Sequence, residues 1–134
     1  MSRWEISAEA AELHADALVW DMTLPIITPG VPEKKADLFA RFAGSGFDFT
    51  TITLAIDGMD FRAAAQQVAD HRRFVPERSE TSVLAESVVE VLQAKRGGKL
   101  AVGFHFQGTA PFADNQAGVD GADKLGVRHA LMAY

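Results

Sequence analysis

The sequence predicts an α/β fold with a parallel sheet. Five apolar segments rich in β-branched and aromatic residues recur along the 134-residue chain, and segments with helical hydrophobic spacing lie between them. Each predicted strand is preceded by a helix. Strands that alternate with helices pair in parallel, because the intervening helix returns the chain to the same end of the sheet. The length suffices for one domain with a hydrophobic core.

The first elements are a helix, a strand and a long loop. Residues 7–17 favour a helix that Ser7 caps, since alanine and glutamate are good helix formers. "ALVWD", residues 17–21, predicts the first strand. "MTLPIITPGVPEKK", residues 22–35, holds three prolines and one glycine, which is typical of a loop.

The middle of the chain alternates helices and strands. The predicted helices span residues 33–46, 59–75 and 86–98, and the last of these is stopped by paired glycines. "FDFTTITLAIDG", residues 47–58, is the clearest strand, and "SETSVLAES", residues 79–87, is a short one.

The last third of the chain repeats the pattern. "KLAVGFHFQGT", residues 99–109, predicts a strong strand, residues about 114–125 a looser helix, and "GVRHALMAY", residues 126–134, a final strand. An open apolar strand at a sheet edge is an aggregation hazard. A closed (β/α)₈ barrel needs about 250 residues. Two architectures therefore remain open: a small open α/β sheet, or the N-terminal half of a barrel forming one truncated domain over residues 1–134.

Composition excludes several classes of function. Lys plus Arg is 13 and Asp plus Glu is 18, a net charge of −5, and no basic run exceeds two residues, so we expect no nucleic-acid partner. The absence of cysteine excludes disulfides, thiolate metal sites and a thiol nucleophile. We expect a cytoplasmic protein with no membrane association, because no apolar run approaches the roughly 18 residues of a membrane span.

Polar residues at the carboxyl ends of the strands are the candidates for chemistry, because active sites of parallel α/β folds gather there. They are Asp21, Thr23, Asp57, Glu86, His105, Gln107, Thr109 and Tyr134. Asp21 and His105 are competent to bind a metal. Asp21 could equally serve as a helix cap or a turn acceptor, and His105 could be a buried, hydrogen-bonded histidine. His105 alternates with two phenylalanines, so Gln107 shares its face of the strand.

The remaining polar signals favour structural roles. Asp57 precedes a glycine, which is typical of turn chemistry. His14 and His71 fall on helices and are expected at the surface, and His129 lies within the last strand, where a structural role is expected. The paired glycines precede a strand, whereas a phosphate-binding loop follows one, and the chain has no Gly-x-Ser-x-Gly nucleophile motif.

Three stretches, "LHADALVWDMTLP", "KLAVGFHFQGTAPF" and "LGVRHALMAY", together resemble the N-terminal part of the membrane (renal) dipeptidase family, peptidase family M19. "GFDFTTITLAIDG" fits the second barrel strand of that family. The resemblance runs from about Leu13 to Tyr134. It implies an amidohydrolase-like (β/α)₈ barrel that binds two zinc ions and hydrolyses dipeptides, with one zinc polarising the scissile carbonyl and the pair activating a water.

The resemblance also implies where metal ligands belong. The family ends its first strand in His-x-Asp before Leu-Pro, which places Asp21 at the histidine position and Thr23 at the aspartate position. The family's bridging glutamate falls on Gln107, with His105 as the other possible register. The two later histidines of the family fall beyond this chain. Zinc is therefore implied by family, but Thr23 and Gln107 are poor replacements for its ligands.

Three hypotheses follow from the sequence. The chain is part of a divergent dipeptidase-like hydrolase, and by itself inactive; or it is a non-catalytic barrel relative that binds or interacts; or it is an unrelated open α/β ligand-binding domain. In the first two, the substrate or ligand is a dipeptide or another small molecule. Because half a barrel exposes two strand edges, we expect pairing with a second copy or with a missing C-terminal half.

Overall fold

The fold is seen in a computed structural model that describes residues 5–25, 40–78, 80–113 and 117–132. The strands are Trp20–Leu24 (β1), Phe49–Ile56 (β2), Ser82–Leu84 (β3), Leu100–Gln107 (β4) and Val127–Ala130 (β5). The helices with both ends in these ranges are Ala8–Asp16 (α1), Phe61–Phe74 (α2), Val88–Arg96 (α3) and Ala117–Lys124 (α4). Residues 40–43 are also helical, and Pro76–Arg78 and Ala110–Phe112 form short 3₁₀ turns.

Side-chain caps start three of the helices. Ser7, Asp60 and Ser87 precede α1, α2 and α3, and each accepts a hydrogen bond from the backbone N–H three residues further on. These N–H groups have no acceptor within the helix, so the caps define where each helix begins.

All strand pairs are parallel, and β4 is the centre of the sheet. The order is β1-β2-β4-β3, and β5 also pairs with β4. β3 lies against the first half of β4, at Leu100–Val102, and β5 lies against its second half, at Phe104–Phe106. Because β2 occupies the other edge of β4, β3 and β5 share one edge and follow each other along it.

Alternation along the strands separates two faces of the sheet. Ile52, Leu54, Phe104 and Phe106 form one continuous core with α2, whose apolar stripe contributes residues such as Val68. We call this the outer face. The residues between them, among them Thr53 and His105, point to the opposite, inner face.

Helix α3 packs on the inner face. Its buried Val91 and Ala94 form a second cluster with Phe49 and Ala101, which begin β2 and β4. Phe49 and Ala101 are register partners. The amino ends of the strands are therefore covered by α3 on this face, and the carboxyl ends are left for other contacts.

Most predicted elements are confirmed, with three corrections. The first strand runs from Trp20 to Leu24 rather than over residues 17–21, because Leu24 is buried in the outer core and the strand pairs with β2. The last strand ends at Ala130. His71 is 6% exposed rather than at the surface, and its Nδ1 lies 2.9 Å from the carbonyl oxygen of Gln67.

Several predictions fall outside the described residues. They concern most of the loop over residues 22–35, the start of the helix over residues 33–46, the first residues of the predicted 114–125 helix, and Tyr134. Within the described ranges, none of the helices combines the length and apolar character needed to cross a bilayer.

Candidate functional site

A row of polar side chains crosses the inner face at the carboxyl half of the sheet. Thr53, His105 and His129 are register neighbours on β2, β4 and β5. The hydroxyl of Thr53 and Nε2 of His105 lie 3.0 Å apart. The two imidazole rings stack with centroids 4.8 Å apart and planes 1° from parallel. His105 is fully buried, and its Nδ1 has no hydrogen-bond partner among the described residues.

The carbonyl oxygen of Met22 on β1 ties this row to the opposite side of the sheet. It accepts a hydrogen bond from the hydroxyl of Thr51, 2.5 Å away, and another from Nε2 of His129, 3.2 Å away. In a flat sheet, β1 and β5 would be three strand spacings apart, roughly 14 Å. A single histidine side chain spans them here, so the sheet curls around its inner face as a barrel wall does.

The two histidines are held neutral near pH 7. Burial lowers the pKa of His105 to about 4, and the neighbouring His129 contributes to the same shift. Burial also lowers the pKa of His129, although its bond to the Met22 carbonyl opposes that shift. A carbonyl oxygen only accepts, so the neutral His129 carries its proton on Nε2 and presents a bare lone pair on Nδ1.

A cleft of about 320 Å³ lies beside this row on the inner face. Its wall is mostly apolar and includes Val88 and Val91 from the first turns of α3. The complete lining is Trp20, Met22, Phe49, Thr51, Ala85, Glu86, Ser87, Val88, Val91, Gly103, Arg128 and His129. Trp20 and Met22 remain 40% and 42% exposed, so the cleft opens to solvent. Its size falls at the lower end of the range for small-molecule sites.

The polar rim of the cleft is an ion-pair network around Glu86. Its carboxylate bonds the guanidinium of Arg72 on α2 and, at 2.9 Å, that of Arg128 on β5. Arg128 also bonds the carboxylate of Asp123 at 2.8 Å. Two cations and two anions balance, so the rim carries no net charge.

Gly126 makes this network possible. Its φ is +89°, and a Cβ there would lie 2.8 Å from Oε1 of Glu86 and closer still to the guanidinium of Arg72. A side chain at this position would therefore meet both an unfavourable backbone region and the ion pair.

The predicted metal residues lie near the row but do not converge. Oδ1 of Asp21 accepts a hydrogen bond from the backbone N–H of Thr23, 2.9 Å away, which matches the turn-acceptor alternative. The register of β1 shifts by one residue between Asp21 and Leu24. The carboxylate of Asp21 acts on His105 only as a charge that slightly raises the pKa of its ring.

The other predicted pocket residues lie beyond the cleft, at the ends of β2 and β4. Oδ1 of Asp57 accepts from the backbone N–H of Ala110 at 3.2 Å. Gly108, with φ +147°, faces this carboxylate so closely that any Cβ would collide with it. Gln107, the last residue of β4, and Thr109, in the loop that follows it, are half-buried. None of these lines the cleft, and their role in binding stays a prediction.

The donor atoms do not fit the zinc pair that the family resemblance implies. Ligand lone pairs of an imidazole lie in the ring plane, and the parallel stacked planes of His105 and His129 do not meet at a common ion. Nε2 of His129 and Oδ1 of Asp21 are already hydrogen-bonded to backbone groups, the carbonyl of Met22 and the N–H of Thr23 respectively. Throughout the described ranges, no group of three or more His, Asp or Glu side chains is placed to hold a metal.

Sequence reasoning did not anticipate the position of His129. The sequence predicts a structural role for it, and the structure shows that it stacks on His105, contacts β1 and lines the cleft. One signal was available: positions 127 and 129 alternate along a strand, so His129 had to share a face with its neighbour on β4 once pairing was known. That pairing is long-range and is not visible in the local sequence.

Comparisons with known proteins place the fold. No protein-family model matches the chain, and no curated protein matches it. Among solved structures, an amidohydrolase from Pseudomonas aeruginosa matches with a TM-score of 0.80 and 24% identity, covering 92% of this chain and 36% of that one. The probable dipeptidase PvdM from Pseudomonas aeruginosa matches with a TM-score of 0.69 and 17% identity, covering 94% of this chain and 37% of that one.

The fold is a partial (β/α) barrel. Parallel strands with alternating helices, the curl of the sheet and the likeness to these structures decide between the two architectures that the sequence left open. These observations favour the partial barrel over the small open sheet. The chain spans little more than a third of the length of either neighbour.

Proposed function

We propose that this chain is part of a dipeptidase-like hydrolase of the amidohydrolase barrel type, and that its inner cleft takes a dipeptide or a similarly small molecule. The supporting observation is the likeness to an amidohydrolase over 92% of the chain with a TM-score of 0.80. The probable dipeptidase PvdM matches over 94% of the chain with a TM-score of 0.69. The cleft lies on the face that a closed barrel turns inward.

The more specific part of the proposal is kinship with the membrane dipeptidase family, M19. It rests on the order and spacing of the stretches around Asp21, Gln107 and His129 described above. We propose a cytoplasmic protein whose remaining barrel strands come from a further polypeptide segment or from a second copy. Among the described strands, β1 has β2 as its neighbour on one edge. Either the segment or the second copy would pair with the opposite edge of β1.

We further propose that the 134-residue chain alone does not hydrolyse dipeptides. The support is the chemistry at the family's metal positions. Thr23 and Gln107 are neutral, Asp21 accepts a hydrogen bond from the backbone of its own strand, and His105 is buried. Zinc therefore has no complete ligand set among the described side chains.

Two measurements on the purified chain test this proposal. Calorimetric titration with a panel of dipeptides is expected to show binding, and release of free amino acids with and without added Zn²⁺ is expected to show no turnover. A folded chain that binds no dipeptide contradicts the proposed ligand class. Zinc-dependent turnover that is lost in Asp21→Asn and His105→Gln, but kept in the control His14→Gln, contradicts the proposed inactivity.

A second candidate function is a non-catalytic binding protein on the same barrel. It is favoured by the neutral, stacked histidine pair, which fills the inner face where the family resemblance implies metals. The two candidate functions can be distinguished by measuring bound zinc, dipeptide binding and dipeptide hydrolysis in the protein isolated from its native cell. Bound zinc together with dipeptide hydrolysis supports the hydrolase, whereas dipeptide binding without either supports the binding protein.

A further inference from the structure

The cleft has a polarity that the proposed function does not specify. One end, where β1 and β2 begin, is apolar and includes Trp20, Phe49 and Val91. Further along β1, where Nε2 of His129 meets Met22, the lining is polar: the His129 ring and the paired Glu86 and Arg128. A ligand complementary to this space carries an apolar group and a polar group.

The polar end offers an acceptor rather than a donor. The carbonyl of Met22 takes the proton of His129 Nε2, which leaves Nδ1 as the bare nitrogen on a ring in the cleft wall. Thr51 is committed as well, because its hydroxyl donates to the same carbonyl. The guanidinium of Arg128, which could otherwise attract an anion, is bonded to Glu86 and Asp123.

The bond to Met22 selects the orientation of the ring. A half-turn of the His129 ring would keep its plane parallel to His105 but would abandon the bond from Nε2 to the Met22 carbonyl. The acceptor orientation of Nδ1 is thus fixed by the contact with Met22.

We infer that His129 is a ligand-binding residue whose Nδ1 accepts a hydrogen bond from the N–H group of a small molecule with an aliphatic or aromatic side chain. Within the proposed function, on which this inference rests, the ligand class is the apolar dipeptide. Its side chain lies against Trp20, Phe49 and the first turn of α3, and an N–H donor, such as its amino group, meets His129.

The test is calorimetric titration of the whole chain with leucyl-leucine and glycyl-glycine. We expect leucyl-leucine to bind at least tenfold more tightly, since each buried apolar side chain adds binding free energy. His129→Phe keeps an aromatic ring for the stack but removes the acceptor, and is expected to weaken leucyl-leucine about tenfold. The matched control His14→Phe, on the exposed face of α1, is expected to leave binding unchanged.

A second pair of variants tests the apolar end without touching the core. Val88 lines the cleft and is 60% exposed, while the adjacent Val89 is 62% exposed and does not line it. Both lie in the first turn of α3, where aspartate is compatible with the helix. Val88→Asp is expected to weaken leucyl-leucine about tenfold by placing a charge beside its side chain, and Val89→Asp to leave it unchanged.

The outcomes separate the inference from the proposed function. Equal affinity of wild type and His129→Phe for leucyl-leucine overturns the acceptor role and leaves the function standing. Equal affinity for both dipeptides, or equal loss in Val88→Asp and Val89→Asp, overturns the apolar end. Absence of binding to any dipeptide by a folded wild-type chain overturns the proposed function itself.

Discussion

At the scale of single residues, the chain places a histidine where water cannot reach it. His105 is fully buried between Thr53 and the ring of His129, and this burial lowers its pKa to about 4. In the unfolded chain the same side chain titrates near 6.5. Between these values the unfolded state binds a proton that the folded state does not, so the free energy of unfolding falls as the pH falls from about 6.5 to about 4.

This pH dependence can be isolated with a neutral replacement. His105→Gln retains a polar group for Thr53 but does not titrate, so its unfolding free energy is expected to change less between pH 6.5 and 4 than that of wild type. The surface variant His14→Gln is expected to follow wild type. Urea unfolding at several pH values in that window measures both. Parallel curves for wild type and His105→Gln would show that burial of His105 does not shift its pKa.

Gly126 gives a second prediction at the residue scale. Gly126→Ala is expected to cost about 2 kcal/mol or more, because the new Cβ meets both a φ of +89° and the Arg72–Glu86 pair. Gly98 has a φ of +65° but no atom within 4 Å of a Cβ, so Gly98→Ala isolates the backbone cost of about 1 kcal/mol. If Gly126→Ala and Gly98→Ala lower the unfolding free energy equally in urea, the Arg72–Glu86 pair moves aside for the new Cβ at no energetic cost.

At the scale of elements, one lysine fastens α1 and α3 to the start of the sheet. Nζ of Lys95 on α3 bonds both carboxylate oxygens of Asp48 at 2.9 and 3.0 Å. It also bonds the carbonyl oxygens of Ala15 and Ala17, which end α1. Asp48 in turn accepts from the backbone N–H of Val19, which leads into β1. Since α1 buries no residue of its own, these contacts fix its position.

Breaking this junction should cost more than breaking an ion pair at the surface. Lys95→Met is expected to lower the unfolding free energy by about 1–2 kcal/mol, because Asp48 stays largely enclosed without its cation. Arg73→Met breaks the exposed pair with Asp70 and is expected to cost clearly less than Lys95→Met, because solvent screens both partners. Urea unfolding of the two variants compares them directly. A similar cost for both would show that the Lys95 contacts are no stronger than surface pairs.

At the scale of the whole molecule, the sheet is an open segment of a barrel wall. Among the described strands, β1 pairs on one side with β2 alone, and Val83, Val88, Val89 and Leu92 leave apolar surface exposed. Unpaired strand edges and exposed apolar surface favour association. We therefore expect the purified chain to form a dimer or larger assembly. Light scattering coupled to size exclusion, over a hundredfold dilution, measures this, and a monomer at every concentration contradicts it.

Local sequence determined the elements and their faces. The cap at Ser7, the alternation around His105 and the two strong apolar strands are short-range signals, so the α/β class and most boundaries could be predicted. The first strand was misplaced because its length depends on pairing with β2 and on burial of Leu24, which no local window contains.

The site was decided by tertiary structure alone. His129 meets His105, 24 positions earlier, and Met22, 107 positions earlier, only because β5 follows β3 along the edge of β4 and the sheet curls. The position of α3 on the inner face, which shapes the cleft, is likewise a packing outcome. Sequence fixes which side chains are available and which way each strand presents them. The pairing order and curvature of the sheet determine which of them meet, because contacts between distant segments depend on the whole fold.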